Sequence, residues 1–151
     1  MSSTNTASAE GRVPDSGPLT DATAYRDNIF ALTQQAEDAV LRPVDCGLWP
    51  TDLRAALAAR LAARMGLASV AERYLTRVTG SNAVIADSTQ DGADLGLAAV
   101  VAHAVTAADI AGLQGAGISD ADIVRLCELN AFLAYQFRLI AGLRLLSGAT
   151  T

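Results

Sequence analysis

The stretch that most restricts the fold lies between Ser119 and Gly148. Wound as a helix from about Asp120 to Leu146, it carries Ile123, Leu126, Leu129, Phe132, Leu133, Phe137, Ile140, Leu143 and Leu146 around most of its circumference. Such a helix must be covered on several sides, by its own domain or by a partner. Ser119, followed three residues later by Asp122, marks its start. The hydroxyl can accept from an orphan backbone N–H, and the acid sits favourably at the helix N-terminus. Thr106 and Asp109 repeat that pattern before a shorter helix, with Gly115 and Gly117 supplying the stop and the turn.

Upstream, apolar residues recur at helical spacing from Asp21 to Val40 (Tyr25, Ile29, Leu32, Ala36, Ala39), and the helix they predict is closed by Pro43 and a turn-like segment from Asp45 to Pro50. Thr51 to Met65 is built of strong helix formers up to Gly66, which either breaks the helix or bends it. The pattern continues from Leu67 to Val78, and residues 81–92 read as a loop. Residues 1–19 hold almost no large apolar side chain and read as a flexible N-terminal tail, which leaves 20–148 as one helical domain. No alternating strand pattern of useful length occurs, so the expected fold class is all-α in a single domain.

Charge and residue usage narrow the chemistry. Sixteen acids against eleven bases give a net charge of -5, which does not favour nucleic acid or anionic lipid as partners. Every base is an arginine, so Schiff-base chemistry and a P-loop lysine are excluded. His103 is the only histidine, which excludes a two-histidine metal site, and no cofactor or metal is expected. Cys46 and Cys127 have neither metal-ligand nor redox spacing, and the N-terminus lacks the pattern of a secretory signal, so a cytoplasmic location is expected. The longest nearly apolar run, Leu95 to Val105, is about half of what a membrane crossing needs.

The segment Gly117-Ile-Ser-Asp-Ala-Asp-Ile-Val, continuing to Asn130-Ala-Phe-Leu-Ala-Tyr-Gln-Phe-Arg138, resembles the closing helix of the alkyl hydroperoxidase D-like, or carboxymuconolactone decarboxylase (CMD), superfamily. Thr106-Ala-Ala-Asp-Ile-Ala-Gly-Leu resembles the short helix before it, and the likeness spans roughly residues 25–147. It implies an alkyl hydroperoxidase D-like helical bundle and a homo-oligomer, commonly a trimer or hexamer. Arg54 to Arg73 has the form of the family segment that ordinarily carries Glu, eleven residues, Cys-x-x-Cys and a nearby His. Here those places are held by Ala55, Leu67, Val70 and Tyr74, while Arg54 and Gly66 fit the surrounding pattern. Leucine and valine cannot be nucleophiles, so the thiol peroxidase route of the family is closed at this degenerate site.

Other chemistry-bearing residues compete with plainer roles. Cys127 on the last helix reads as a small hydrophobe, and Cys46 has no basic neighbour within two residues to activate it. His103, Glu128 and Arg138 are the candidates for catalysis. His103 is nevertheless expected mainly as a core histidine, and Glu128, Tyr135, Gln136 and Arg138 mainly as paired or interface groups. Arg54, Arg60 and Arg64 are expected on a solvated face or in oligomer salt bridges, and Glu72 and Arg73 near the remnant of the redox site.

Two functions fit these residues. One is a CMD-domain protein without the redox pair, acting as a homo-oligomeric binding or accessory protein alongside a related peroxidase-like partner. The other is a non-thiol enzyme of the decarboxylase or isomerase kind on a small carboxylated or lactone substrate, with His103, Glu128 or Arg138 moving protons and holding the carboxylate. A filled, dry remnant favours the first, and a cavity with convergent polar groups the second.

Overall fold

A computed structural model describes residues 5–80 and 106–149 of the chain. These contain seven helices and no strand: α1 (Thr6–Glu10), α2 (Pro18–Tyr25), α3 (Asp27–Leu41), α4 (Thr51–Arg64), α5 (Ala68–Leu75), α6 (Ala107–Gly115) and α7 (Asp120–Leu146). The fold class is therefore all-α. No helix among the described residues is long and apolar enough to cross a membrane. His103 and the apolar run Leu95 to Val105 lie outside the described residues.

α7 is the element against which α1, α3, α4 and α6 pack. Leu126, Leu129, Leu133, Phe137 and Ile140 are buried along it, meeting Leu57, Leu61, Val70 and Tyr74 of α4 and α5, and Leu67 between them, in one apolar cluster. Much of the cover this helix requires comes from its own chain. Its last turn differs from the expected pattern, because Arg144 is buried while Leu145 and Leu146 are exposed. The guanidinium is drawn inward by the carbonyl of Glu10, to which its Nε donates at 2.8 Å.

The helix expected from Asp21 to Val40 is two helices that meet at Arg26, whose carbonyl accepts from both Ile29 and Phe30 N–H. Its buried face is not the apolar stripe either. Thr33, Glu37 and Leu41 face inward, whereas Tyr25, Ile29 and Leu32 are 84%, 43% and 57% exposed. Polar pairing sets this rotation: Thr33 and Tyr135 share a hydrogen bond across α3 and α7 at 3.0 Å, and Glu37 accepts from Gln136 at 2.7 Å.

Gly66 breaks the chain between α4 and α5. Its φ of +73° allows Leu67 N–H to reach the Ala62 carbonyl at 2.9 Å and its own N–H to reach Ala63 at 3.0 Å, closing α4 in a left-handed turn.

The stretch expected as a tail contains α1 and the start of α2. Asn5 caps α1 through Ala7 N–H at 2.8 Å, Thr6 N–H donates to Gln34 at 2.9 Å, and Ser69 donates to the Glu10 carboxylate at 2.8 Å. Ala7 and Thr6 are fully buried, and a Cβ on Gly11 would come within 2.6 Å of Leu143. Small residues bury little surface, so composition shows no core face here, but they let the backbone approach closely enough for polar groups to hold it.

Both expected helix starts are capped. Thr106 and Asp109 form a reciprocal capping box, and Ser119 Oγ accepts from Asp122 N–H at 3.2 Å while its hydroxyl donates to the Asp122 carboxylate at 2.7 Å. Ser119→Ala is expected to destabilise the protein by roughly 0.5–2 kcal/mol. Unchanged midpoint and slope in urea denaturation would count against this cap.

Candidate functional site

Ala55, Leu67, Val70 and Tyr74 are the four positions that the family resemblance assigns to reactive groups. All are buried, at 1%, 2%, 0% and 0% exposure, and the last three belong to the apolar cluster under α7. Glu72 points to solvent, and Arg73 is turned to α1, donating to Thr6 Oγ1 at 3.0 Å. These four positions are filled by packed side chains.

One polar thread crosses that packing. Tyr74 OH donates to Gln136 Oε1 at 2.9 Å, and Gln136 Nε2 donates to Glu37 Oε2 at 2.7 Å, so α5, α7 and α3 are joined by three buried side chains. Burial first, and then the negative charge of Glu37, raise the Tyr74 pKa far above that of a free phenol. Tyr74 is thus a neutral donor whose proton is committed to Gln136. Glu37 Oε1 is buried and has no hydrogen-bond partner among the described residues.

A groove of about 470 Å³ opens elsewhere, between α3, the turn before α4, and α7. Ala36, Ala39, Val40, Pro43 and Phe132 form its apolar walls, and Asp45, Arg54, Arg125 and Glu128 its polar part. Asp122 anchors the neighbouring turn: its Oδ1 accepts from Leu48 N–H and from Arg125 at 3.0 Å each, and its carbonyl accepts from Trp49 Nε1 at 2.7 Å. The Leu48 N–H chiefly, then the Ser119 hydroxyl and Arg125, hold the Asp122 carboxyl below its usual pKa. Gly47, at φ +55°, passes so close that a Cβ would lie 2.2 Å from Asp122 Oδ1.

Arg54 is the buried cation of this region, at 2% exposure. Its Nε, NH1 and NH2 donate to the carbonyls of Trp49, Val40 and Cys46 at 2.7, 2.8 and 3.1 Å. Those carbonyls belong to the end of α3 and the turn into α4, where no helix supplies donors. Burial lowers the Arg54 pKa, with Cys46, Glu128 and Asp122 acting in the opposite sense. Arg125 is held by Asp45 at 2.5 Å as well as by Asp122. The donors of both arginines are therefore directed at the protein itself.

The expectation of a solvated arginine face fails for Arg54 and Arg60, which are buried, and holds for Arg64. Arg54 also supplies in space the basic neighbour that the residues flanking Cys46 lack. Glu128 lines the groove and is exposed; Arg138 is exposed and has no hydrogen bond or ion pair among the described residues. Ten residues apart on α7, the two are separated by about 15 Å along the axis and are not brought together. Gln136 and Tyr135 are paired inside the protein, and both cysteines are half-buried free thiols. Sequence reasoning missed Glu37, Asp45, Arg125 and Arg144 as structural polar groups. Only Glu37 left a trace, four residues from both Thr33 and Leu41 on one helical face. No group of three His, Cys, Asp or Glu residues able to hold a metal occurs among the described residues. In comparisons with family models, curated proteins and solved structures, nothing matches the chain.

Proposed function

We propose that this chain is a divergent CMD-domain protein without the redox cysteine pair, acting as a helical homo-oligomeric binding or accessory protein alongside a peroxidase-related partner. The observation that carries this reading is the filled remnant: Leu67, Val70 and Tyr74 sit in the apolar core, and the one hydroxyl among them is bonded to Gln136. A peroxide has neither a nucleophile nor space there. The alternative, a non-thiol enzyme on a small carboxylated or lactone substrate, would draw on His103, Glu128 or Arg138; Glu128 and Arg138 do not meet on α7, and the arginines of the groove are directed at the protein itself, which favours the first reading.

The purified, fully reduced protein is expected to consume hydrogen peroxide or an alkyl hydroperoxide no faster than the dithiol reductant alone. Wild type is to be compared with a Cys46→Ser, Cys127→Ser double variant. Turnover well above background that disappears in the double variant would show that the remaining cysteines had taken over the reaction, and the reading of an inactive scaffold would be lost.

A further inference from the structure

We infer that Tyr25, Ile29 and Leu32 of one protomer seat in the groove beside Ala36, Ala39 and Phe132 of a second copy, and reciprocally, with the two α3 helices antiparallel across a two-fold axis. The inference rests on the homo-oligomeric reading above and assigns its contact.

The first support is spacing. Ile29, Leu32, Ala36 and Ala39 of α3 are three, four and three residues apart, the spacing with which one helix keeps a seam facing another, and Tyr25 stands four residues before Ile29 at the end of α2. In α3 this seam lies beside the buried face of Thr33, Glu37 and Leu41; its Ile29, Leu32 and Ala39 are exposed, and Ala36 packs partly against the core at the edge of the groove. The seam carries the largest apolar side chains exposed on the α2 and α3 helices.

The second is size. The seam is large at its N-terminal end (Tyr25, Ile29, Leu32) and small at its C-terminal end (Ala36, Ala39), where the groove of about 470 Å³ opens toward Pro43 and Phe132. A two-fold contact uses one patch twice, so the patch must complement itself. Antiparallel pairing sets each large end against a partner's small end and groove. Parallel pairing would crowd Tyr25 against Tyr25 and leave both grooves empty, and overpacking and cavities both cost stability.

The third is charge. Arg26, at the large end, stacks on the Tyr25 ring at 5.7 Å and has no ion pair among the described residues. Glu128, at the groove, is an exposed carboxylate with no ion pair among the described residues. Antiparallel pairing brings Arg26 of each copy to the end that holds Glu128 of the other. For a chain of net charge -5, such complementary ends fix the register and offset like-charge repulsion.

Light scattering and analytical ultracentrifugation of the full chain over a concentration series test the contact. Wild type is expected to form an assembly with an even number of copies. Leu32→Arg, at a site exposed in the protomer, is expected to keep the helical circular dichroism and weaken association at least tenfold. Arg26→Glu should also weaken it, and adding Glu128→Arg should restore it. If the variants stay folded and assemble as wild type does, or wild type has an odd number of copies, this contact is wrong while the oligomeric reading stands. A wild type that remains monomeric throughout the series, with or without a small molecule bound in the groove, overturns both.

Discussion

Replacing Arg54 with alanine is expected to lower the unfolding free energy by about 3–5 kcal/mol, because one buried and two part-buried carbonyls lose a charged donor at once. Hydrogen bonds to a charged group contribute about 1.5–3 kcal/mol each, and the sum is reduced because water can enter once the side chain is removed. For a domain of this size, a loss of that order corresponds to a fall in Tm of roughly 10 °C. Arg54→Lys should recover only a minor part. It retains the charge, but a single ammonium cannot meet carbonyls from Val40, Cys46 and Trp49 in the directions the guanidinium fork provides. Guanidinium chloride denaturation of the three proteins measures both effects. A Lys variant as stable as wild type would show that charge, and not the fork, is what the turn requires.

The second large effect is expected at Gln136. Gln136→Leu would leave the Glu37 carboxylate, 1% exposed, without its donor and the Tyr74 hydroxyl without its acceptor. Removing one partner from a buried charged contact typically costs about 3–5 kcal/mol. Removing the whole thread with Tyr74→Phe, Glu37→Leu and Gln136→Leu together should be far less damaging than the single change, since apolar replacement leaves no orphaned polar group. Thermal unfolding of the triple variant and of the three single variants decides the matter. If the triple variant loses as much as the single losses added together, the three side chains do not act as a unit.

These two clusters mark the boundary of what the sequence makes legible. Ser119, Asp122 and Gly148 bound α7 at Asp120 and Leu146, and Thr106 with Asp109 starts α6, because a cap is a signal between residues three apart. The end of α4 at Gly66 is local in the same way. The rotation of α3 is not. Its outward stripe is the more apolar face, and only Gln136 and Tyr135, about a hundred residues downstream, turn Thr33 and Glu37 inward. Arg54 and Arg60 belie the usual preference of arginine for water, and for Arg54 the reason is visible: the carbonyls of Val40, Cys46 and Trp49 converge on its guanidinium. Of the polar part of the groove, the sequence singled out Glu128 as a candidate and Arg54 as a cation expected in water or in a salt bridge. Asp45 and Arg125 join them through contacts that no periodicity encodes.

The seat of α1 also bears on the order in which the protein can be completed. Arg144 Nε reaches the Glu10 carbonyl, and Ser147 Oγ the Gly11 carbonyl, across 134 and 136 residues of chain. Contacts that close so long a loop pay their entropy before they are rewarded, and they form late. On the ribosome, α1 emerges more than a hundred residues before Leu143 and Arg144 exist. Until then its cap, its Ser69 contact and its Gln34 contact have only part of the surface they close upon. α7 thus supplies the missing wall for a helix made long before it, and a chain arrested before Arg144 would already hold α3 and α5 together through Gln136 while α1 still lacked the guanidinium that fastens its last residue.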